Sequence, residues 1–255
     1  MIKYFAIVFT LFIIPINLIP QGFDWQWSAR IPFENPQNYY GINANYGLDY
    51  SIGTISFKED NISAPDFIDL NGNNFALGIN YTHWNKYNKF AIYSIFQYNN
   101  LKLHSYSIDN VPLNDNIIAK YKIALDYNIN SINLIAGVNY RILESHLLIG
   151  TGIQIGTIIN NNFEVNEEIL GPPEVPPFKT NPPSYKRKIN TGKINELNNF
   201  FLKSHIKISY NLEIKNGTYI EPNICFAMPL GSMFEGEKVR HYSILFAINY
   251  YTSLF

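Results

Sequence analysis

The chain of 255 residues has a single cysteine, Cys225, so neither an internal disulfide nor a thiolate-rich metal site is available to it. Charge is also scarce: Asp, Glu, Lys and Arg make up 15% of the residues, against roughly 25% in an ordinary soluble domain. The 19 Lys and Arg nearly cancel the 20 Asp and Glu, leaving a formal charge of -1. A nucleic-acid surface needs a basic excess, which is missing, and there is no acidic tail. Beyond the first twenty residues no stretch carries a sustained apolar stripe of period 3.6, so helices are expected to be few. What the chain does have is 47% hydrophobic residues, 19 Tyr, 18 Phe and a high Asn content. It is too apolar to be disordered.

Lys3 precedes an apolar run over residues 4–14, interrupted at Pro15, Asn17 and Pro20. A basic start and a short apolar stretch form a secretory signal, whereas a transmembrane helix needs about 20 continuous apolar residues. Gly22 is the best small-residue cleavage position, which divides the chain into a signal peptide over 1–22 and a mature domain over 23–255.

From Tyr40 onward a period of two takes over. Tyr40, Ile42, Ala44, Tyr46, Leu48, Tyr50 and Ile52 alternate with small or polar residues. Similar alternation recurs over 75–82, 117–129, 134–142, 147–157, 202–210, 220–228 and 242–250, and less cleanly over 24–33 and 90–104. Such lengths approach the 9–11 residues with which a tilted strand crosses a bilayer. The polar phase decides which way the apolar phase points. It is mostly Gly, Asn, Ser and Ala, which suits the confined interior of a small barrel with its apolar face on lipid; a water-facing sheet would carry more charge. Tyr40, Tyr50, Tyr81, Trp84, Tyr98, Tyr127, Tyr210, Tyr219 and Tyr250 fit girdles at the two interfaces. The expected fold is therefore all-β: a closed, antiparallel, up-and-down transmembrane β-barrel of eight to ten strands, with ten favoured.

Asn216-Gly217 is the strongest hairpin signal. Longer polar links are expected over 57–72, 107–115, 160–199 and 231–240. Three strands fall between the second and third of these, which puts one long link at the wrong end. Residues 160–199 hold Pro172, Pro173, Pro176, Pro177, Pro182 and Pro183, and prolines forbid ladder pairing. This segment reads as a surface loop, with contact to a partner as the sharper alternative.

Histidines 83, 104, 146, 205 and 241 lack metal-site spacing. Gly150, Gly152 and Gly156 do not match a phosphate-binding glycine loop and read as residues that make room in the lumen. Three Asn-x-Ser/Thr matches are unremarkable in an Asn-rich chain. The charges assigned to the inward phase form a lumen cluster: Asp49, Lys120, Lys122, Asp126, Arg141, Lys203, Lys207 and Glu221. Mutual pairing is their first role, and a narrow pore of mild anion preference the second.

The signal peptide, the repeated amphipathic strands, the Asn- and Tyr-rich wall and the terminal Phe255 together resemble the small outer-membrane β-barrel domain proteins of Gram-negative, Bacteroidetes-like bacteria. The resemblance implies a monomer in the bacterial outer membrane, in contact with outer-membrane lipid, delivered by the barrel-assembly machinery and without nucleic-acid partner, cofactor, metal or enzyme activity. In that family the C-terminal aromatic closes an alternating strand. Here, counting back by twos from Phe255 gives Ser253, Tyr251 and Asn249, out of phase with Tyr250, Ile248 and Phe246; a bulge near Thr252 would restore the phase. The implied role is structural or loop-mediated, with at most narrow, nonspecific permeation. Two other readings stand beside it. One is a secreted soluble barrel binding an apolar ligand. The other is an outer-membrane lipid-modifying enzyme, for which His83 and Ser204 are the candidate pair.

Overall fold

The computed structural model describes residues 37–253 except 56, 57, 60, 61, 64–66, 86, 115, 116, 143, 144, 195, 196, 216 and 235–238. The expected signal peptide, the segment 24–33 and Phe255 lie outside the described residues. The elements are all strands: β1 (Asn38–Ile55), β2 (Lys58–Glu59), β3 (Ile62–Ser63), β4 (Phe67–Trp84), β5 (Phe90–Asn114), β6 (Ile117–Arg141), β7 (Leu147–Gly171), β8 (Lys186–Gly192), β9 (Phe200–Tyr210), β10 (Leu212–Lys215), β11 (Thr218–Pro229) and β12 (Arg240–Ser253). Strands β2 and β3 form a separate small hairpin.

Eight strands close a ring in the order β1, β4, β5, β6, β7, β9, β11 and β12, each antiparallel to its neighbours, with β12 returning to β1. Strand β10 continues β9 past Asn211, and β8 pairs with the far part of β7 beyond β9, so the sheet counts ten strands around a ring of eight. Followed once around the ring, the register runs from Tyr39 through Thr82, Tyr93, Gly137, Gly152, His205, Ala227 and Ser243 to Asp49, a shear of ten residues. With strands about 4.8 Å apart and about 3.3 Å of rise per residue, that shear tilts them by about 40°.

Sequence alternation over 117–129 and 134–142 suggests two strands because the apolar residues change phase between them. They are one strand, β6, of 25 residues. Of the link expected over 107–115, residues 107–114 are likewise strand, the far part of β5. These two differences restore the parity. The short links 85–89, 142–146 and 216–217 meet at one end of the barrel, with Asn38 and Ser253; the other links meet at the opposite end. At the first end, β12 keeps an unshifted register with β1 and β11 through Thr252, so among the described residues no bulge restores the phase.

Side-chain direction does not change along β6, nor along β5 before the register shift after Pro112, but chemistry does. Toward the turn end, the inward residues of β6 are Asn139, Gly137 and Asn133, and the outward ones are Tyr140, Val138 and Leu134. Toward the loop end the inward residues are Ile129, Tyr127 and Leu125, and the outward ones Asn130, Asn128 and Asp126. Strand β5 makes the same change between Tyr98 and Asn100, and β7 makes it across a bulge where the register shifts opposite Asn130 and Ser131. The barrel is thus polar inside and apolar outside at one end, and the reverse at the other.

The apolar interior at the loop end is filled. Phe67, Leu103, Leu125, Tyr127 and Phe163 from the wall pack with Leu197, Met233, Phe234 and Val239 from the links. A bridge between Leu197 and Phe234 fixes the two links to each other. The loop expected over 160–199 is largely ladder: residues 160–171 continue β7 and Lys186–Gly192 form β8, because the six prolines are confined to the link between them. That link is folded back as well: Val175 and Phe178 cover Ala119 and Ile169, and Arg187 stacks 4.3 Å over the Phe178 ring.

Toward the turn end the inward glycines leave space for larger neighbours. A Cβ on Gly152 would lie 2.6 Å from the Ala136 carbonyl oxygen and 2.8 Å from the Tyr93 hydroxyl; one on Gly156 would strike the Phe201 ring. Because one obstacle at Gly152 is backbone, Gly152→Val is expected to lower stability by about 1–3 kcal/mol, seen as an earlier urea midpoint. An unchanged midpoint would show that the wall gives way there.

Candidate functional site

Two places concentrate polar chemistry: the lumen toward the turn end, and a concave patch on the outer wall beyond the polarity change. Register builds the first. Ser51 faces His241, and Asp49 faces Ser243, only because β12 closes against β1. Asp49 accepts hydrogen bonds from Ser243 (2.6 Å) and Asn74 (2.5 Å), and His241 Nε2 lies 2.9 Å from it in ion-pair range but off the N–H axis. The other His241 nitrogen, Nδ1, is 2.8 Å from Ser51 Oγ. Lys203 donates to Ser243 at 3.1 Å.

Hydroxyl, imidazole and carboxylate in series have the composition of a nucleophile triad. Access decides against that chemistry, since Ser51 is 0% exposed. The three form a cross-barrel brace. Sequence inspection misses it because residues 190 positions apart carry no local signal.

A second cluster lies nearer the turn end. Lys207 Nζ sits 2.9 Å from Glu221 Oε1 and 4.1 Å over the Tyr93 ring, while Asn249 donates to the same carboxylate oxygen and accepts from Asn43. Between the clusters His205 bridges Gln154 (2.7 Å) and Cys225 (3.0 Å). Arg141 lies 4.7 Å over the Trp84 ring at the rim. Cavities of about 20 and about 30 Å³ lie among these clusters, each about enough for a water molecule.

Of the eight charges assigned to the lumen, the structure brings Asp49, Lys203, Lys207 and Glu221 into it and puts Arg141 at its rim. Lys120, Lys122 and Asp126 are elsewhere, on the outward phase of far β6. The cause is the inversion of polarity: where the interior is packed with Leu125 and Tyr127, the polar phase must face out. His83 and Ser204 are not brought together either. His83 hydrogen-bonds Asn38 at the turn end of β4, and three strands separate it from Ser204 on β9. Among the described residues, no group of His, Cys, Asp and Glu is arranged to hold a metal ion.

The outer patch is a saddle of about 810 Å³ across β4 to β8. Asn71, Asn73, Lys102, His104, Asp126, Asn128, Asn162, Glu164, Thr191 and Lys193 line it. His104 Nδ1 is 2.6 Å from Asp126, and Lys188 is 2.6 Å from Glu164. Lys186 and Arg187 pair with Glu168 and Glu167 along the same β7–β8 ladder. The Lys188 ammonium, and then the Asn166 amide, hold the Glu164 carboxyl below the usual carboxylate range. Its contribution to stability is complete above the unfolded carboxylate value and is lost as pH falls through the lowered folded value. Acidification through that window is expected to lower amide protection across β8, taken relative to the intrinsic exchange rate at each pH, by up to about fivefold, the limit for an exposed, screened pair. Protection in β8 that is insensitive to both pH and salt would show that these pairs do not hold it.

No family model matches the chain, and no curated protein matches it. Among solved structures, the outer membrane protein OprG from Pseudomonas aeruginosa is similar at 9% identity and a TM-score of 0.38, covering 86% of this chain and 98% of its own. Neisserial surface protein A is similar at 11% identity and 0.35, covering 85% and 97%. Ail, the attachment invasion locus protein of Yersinia pestis, is similar at 12% identity and 0.34, covering 84% and 99%. At those scores the strand pairing of this chain, rather than the likeness, carries its assignment as a closed antiparallel β-barrel.

Proposed function

We propose that this chain is a bacterial outer-membrane β-barrel, sealed along its axis, whose work is done by the wall and links that stand above the membrane at the loop end. The observation that carries it is the outward apolar belt. It covers nine residues on β6 (132–140) and thirteen on β1 (40–52), which at the strand tilt is about 20–30 Å, the thickness such a barrel presents to lipid. Tyr40, Ile42, Leu77, Phe96, Leu134, Ile153, Ile206 and Ile248 are all well exposed. So large a continuous apolar surface is untenable in water. Just beyond the belt, over 100–104 on β5 and 126–130 on β6, the wall has apolar residues inside and polar residues outside, as a water-immersed sheet does, with Tyr106, Ile108 and Ile118 exposed farther along.

The loop end faces the exterior in this reading, because such barrels turn tightly on the periplasmic side. The soluble carrier reading is disfavoured by the interior, where the cavities between the polar clusters, of about 20 and about 30 Å³, are too small for an apolar ligand. The enzyme reading loses its candidate pair. The test is partition and mobility: the full chain is expected in the detergent phase, with heat-dependent migration. Recovery from the aqueous phase without detergent would overturn the proposal. Planar bilayers containing the barrel are expected to show no stable conductance steps, because Phe234 and Met233 close one end and paired charges fill the other. Regular steps would disprove the seal.

A further inference from the structure

We propose that the outer saddle holds the sugar headgroup of an outer-leaflet glycolipid, with Lys102 and Lys193 meeting its phosphates and Asn71, Asn73, Asn128 and Asn162 its hydroxyls. This rests on the outer-membrane reading.

Position comes first. On β5 the outward residue after Tyr98 is Asn100 and the next is Lys102; on β6 Asn130 and Asn128 follow Ile132; on β4 Asn73 and Asn71 follow Phe75. The saddle therefore starts one or two outward positions past the belt, about 5–10 Å along the tilted wall. In a membrane that layer contains headgroups. The saddle is continuous with the lipid-facing surface.

Charge comes second. The saddle's two carboxylates are already occupied, Asp126 by His104 and Glu164 by Lys188. Among the described residues Lys102 and Lys193 form no ion pair, so the concavity has two ammonium groups to offer an anion. Lysine serves as a compact point charge for phosphate. Four side-chain amides surround the pair, each with donors and an acceptor, which suits the mixed donor and acceptor character of neighbouring sugar hydroxyls. No large apolar side chain points outward among the lining residues, so a protein partner would lack the buried anchor on which such interfaces depend. A volume of about 810 Å³ is in the range of small-ligand sites.

The experiment uses the full chain purified from outer membranes in mild detergent, with lipopolysaccharide as the probe. The variants are Lys102→Glu with Lys193→Glu, and Asn128→Ala with Asn162→Ala. Lipopolysaccharide retained per barrel is expected to fall about tenfold or more in the lysine variant and severalfold in the amide variant, with heat-dependent migration unchanged in both. Phosphatidylglycerol vesicles at equal phosphate should displace it poorly. Unchanged retention in both variants would overturn the inference, as would displacement by phosphatidylglycerol as effective as by lipopolysaccharide, which would mean charge alone. Neither result would touch the membrane reading. Recovery of the wild-type chain from the aqueous phase would remove both.

Discussion

Lys207→Met is expected to destabilise the barrel by about 3–5 kcal/mol, because it strands a buried carboxylate. The Glu221 side chain is 0% exposed and that of Lys207 5%, with 2.9 Å between their charged atoms. Without the ammonium, Glu221 keeps only the Asn249 amide at 3.3 Å. Methionine preserves the stem, which crosses the surface of Gly150: a Cβ built there would be 2.8 Å from Lys207 Cγ. Lost packing is thus small and lost charge dominates. The double variant Lys207→Met, Glu221→Leu should recover most of the deficit, since exchanging a whole buried pair for apolar groups is often neutral or stabilising. Urea unfolding of the refolded barrel in detergent measures both. A single variant within 1 kcal/mol of wild type would show that water reaches Glu221 and shields it.

Most of the wall was legible in the sequence. On β1, β9, β11 and β12 the alternation runs nearly the full strand length, with apolar residues outward throughout, so faces follow from side-chain period alone. The register did not. Residues 117–129 alternate as strongly as residues 40–52, but their apolar residues point inward. Periodicity reports that one face is apolar without saying what that face meets. A strand that leaves lipid for water keeps its geometry and exchanges its chemistry, and in β6 the exchange occurs near Asn130, where it imitates a turn between two strands. The same confusion put Lys120, Lys122 and Asp126 in the lumen.

The lumen itself was legible only residue by residue. Asp49, Lys203, Lys207 and Glu221 carry the inward phase on strands that never invert. Across the β1–β12 seam, pairing depends on the ten-residue shear, a property of ring closure that no single segment encodes. Ser51 and His241 meet for that reason, whereas Glu221 and Lys207, 14 positions apart, meet through the register of neighbouring β9 and β11. The saddle was equally hidden. Its residues come from five strands, and its amides look in sequence like lumen filling, because Asn is common in both phases. The identifying signal would have been the coincidence of polar outward and apolar inward residues over the same span, visible only after the strands are aligned.

That coincidence predicts that one strand should answer to substitution in opposite ways along its length. Leu134→Arg puts a guanidinium on the outward face within the belt and is expected to cost about 2–4 kcal/mol, the penalty for Arg near the midplane of a barrel wall. Asn128→Arg puts the same group on the same face of the same strand, six residues further along, and is expected to change stability by less than about 0.5 kcal/mol, as at an ordinary wet surface. Leu125→Ala, on the inner face beyond the inversion, removes a fully buried side chain that packs in the apolar interior of the loop end, and about 2–5 kcal/mol should be lost. The three together separate the alternatives. A soluble barrel with water around its whole length would tolerate arginine at position 134 as readily as at 128. A barrel immersed in lipid to its loop end would penalise both. Urea unfolding in phospholipid vesicles gives the three numbers on one scale, and equal costs at 134 and 128 would mean that the change of chemistry at Asn130 does not mark the edge of the bilayer.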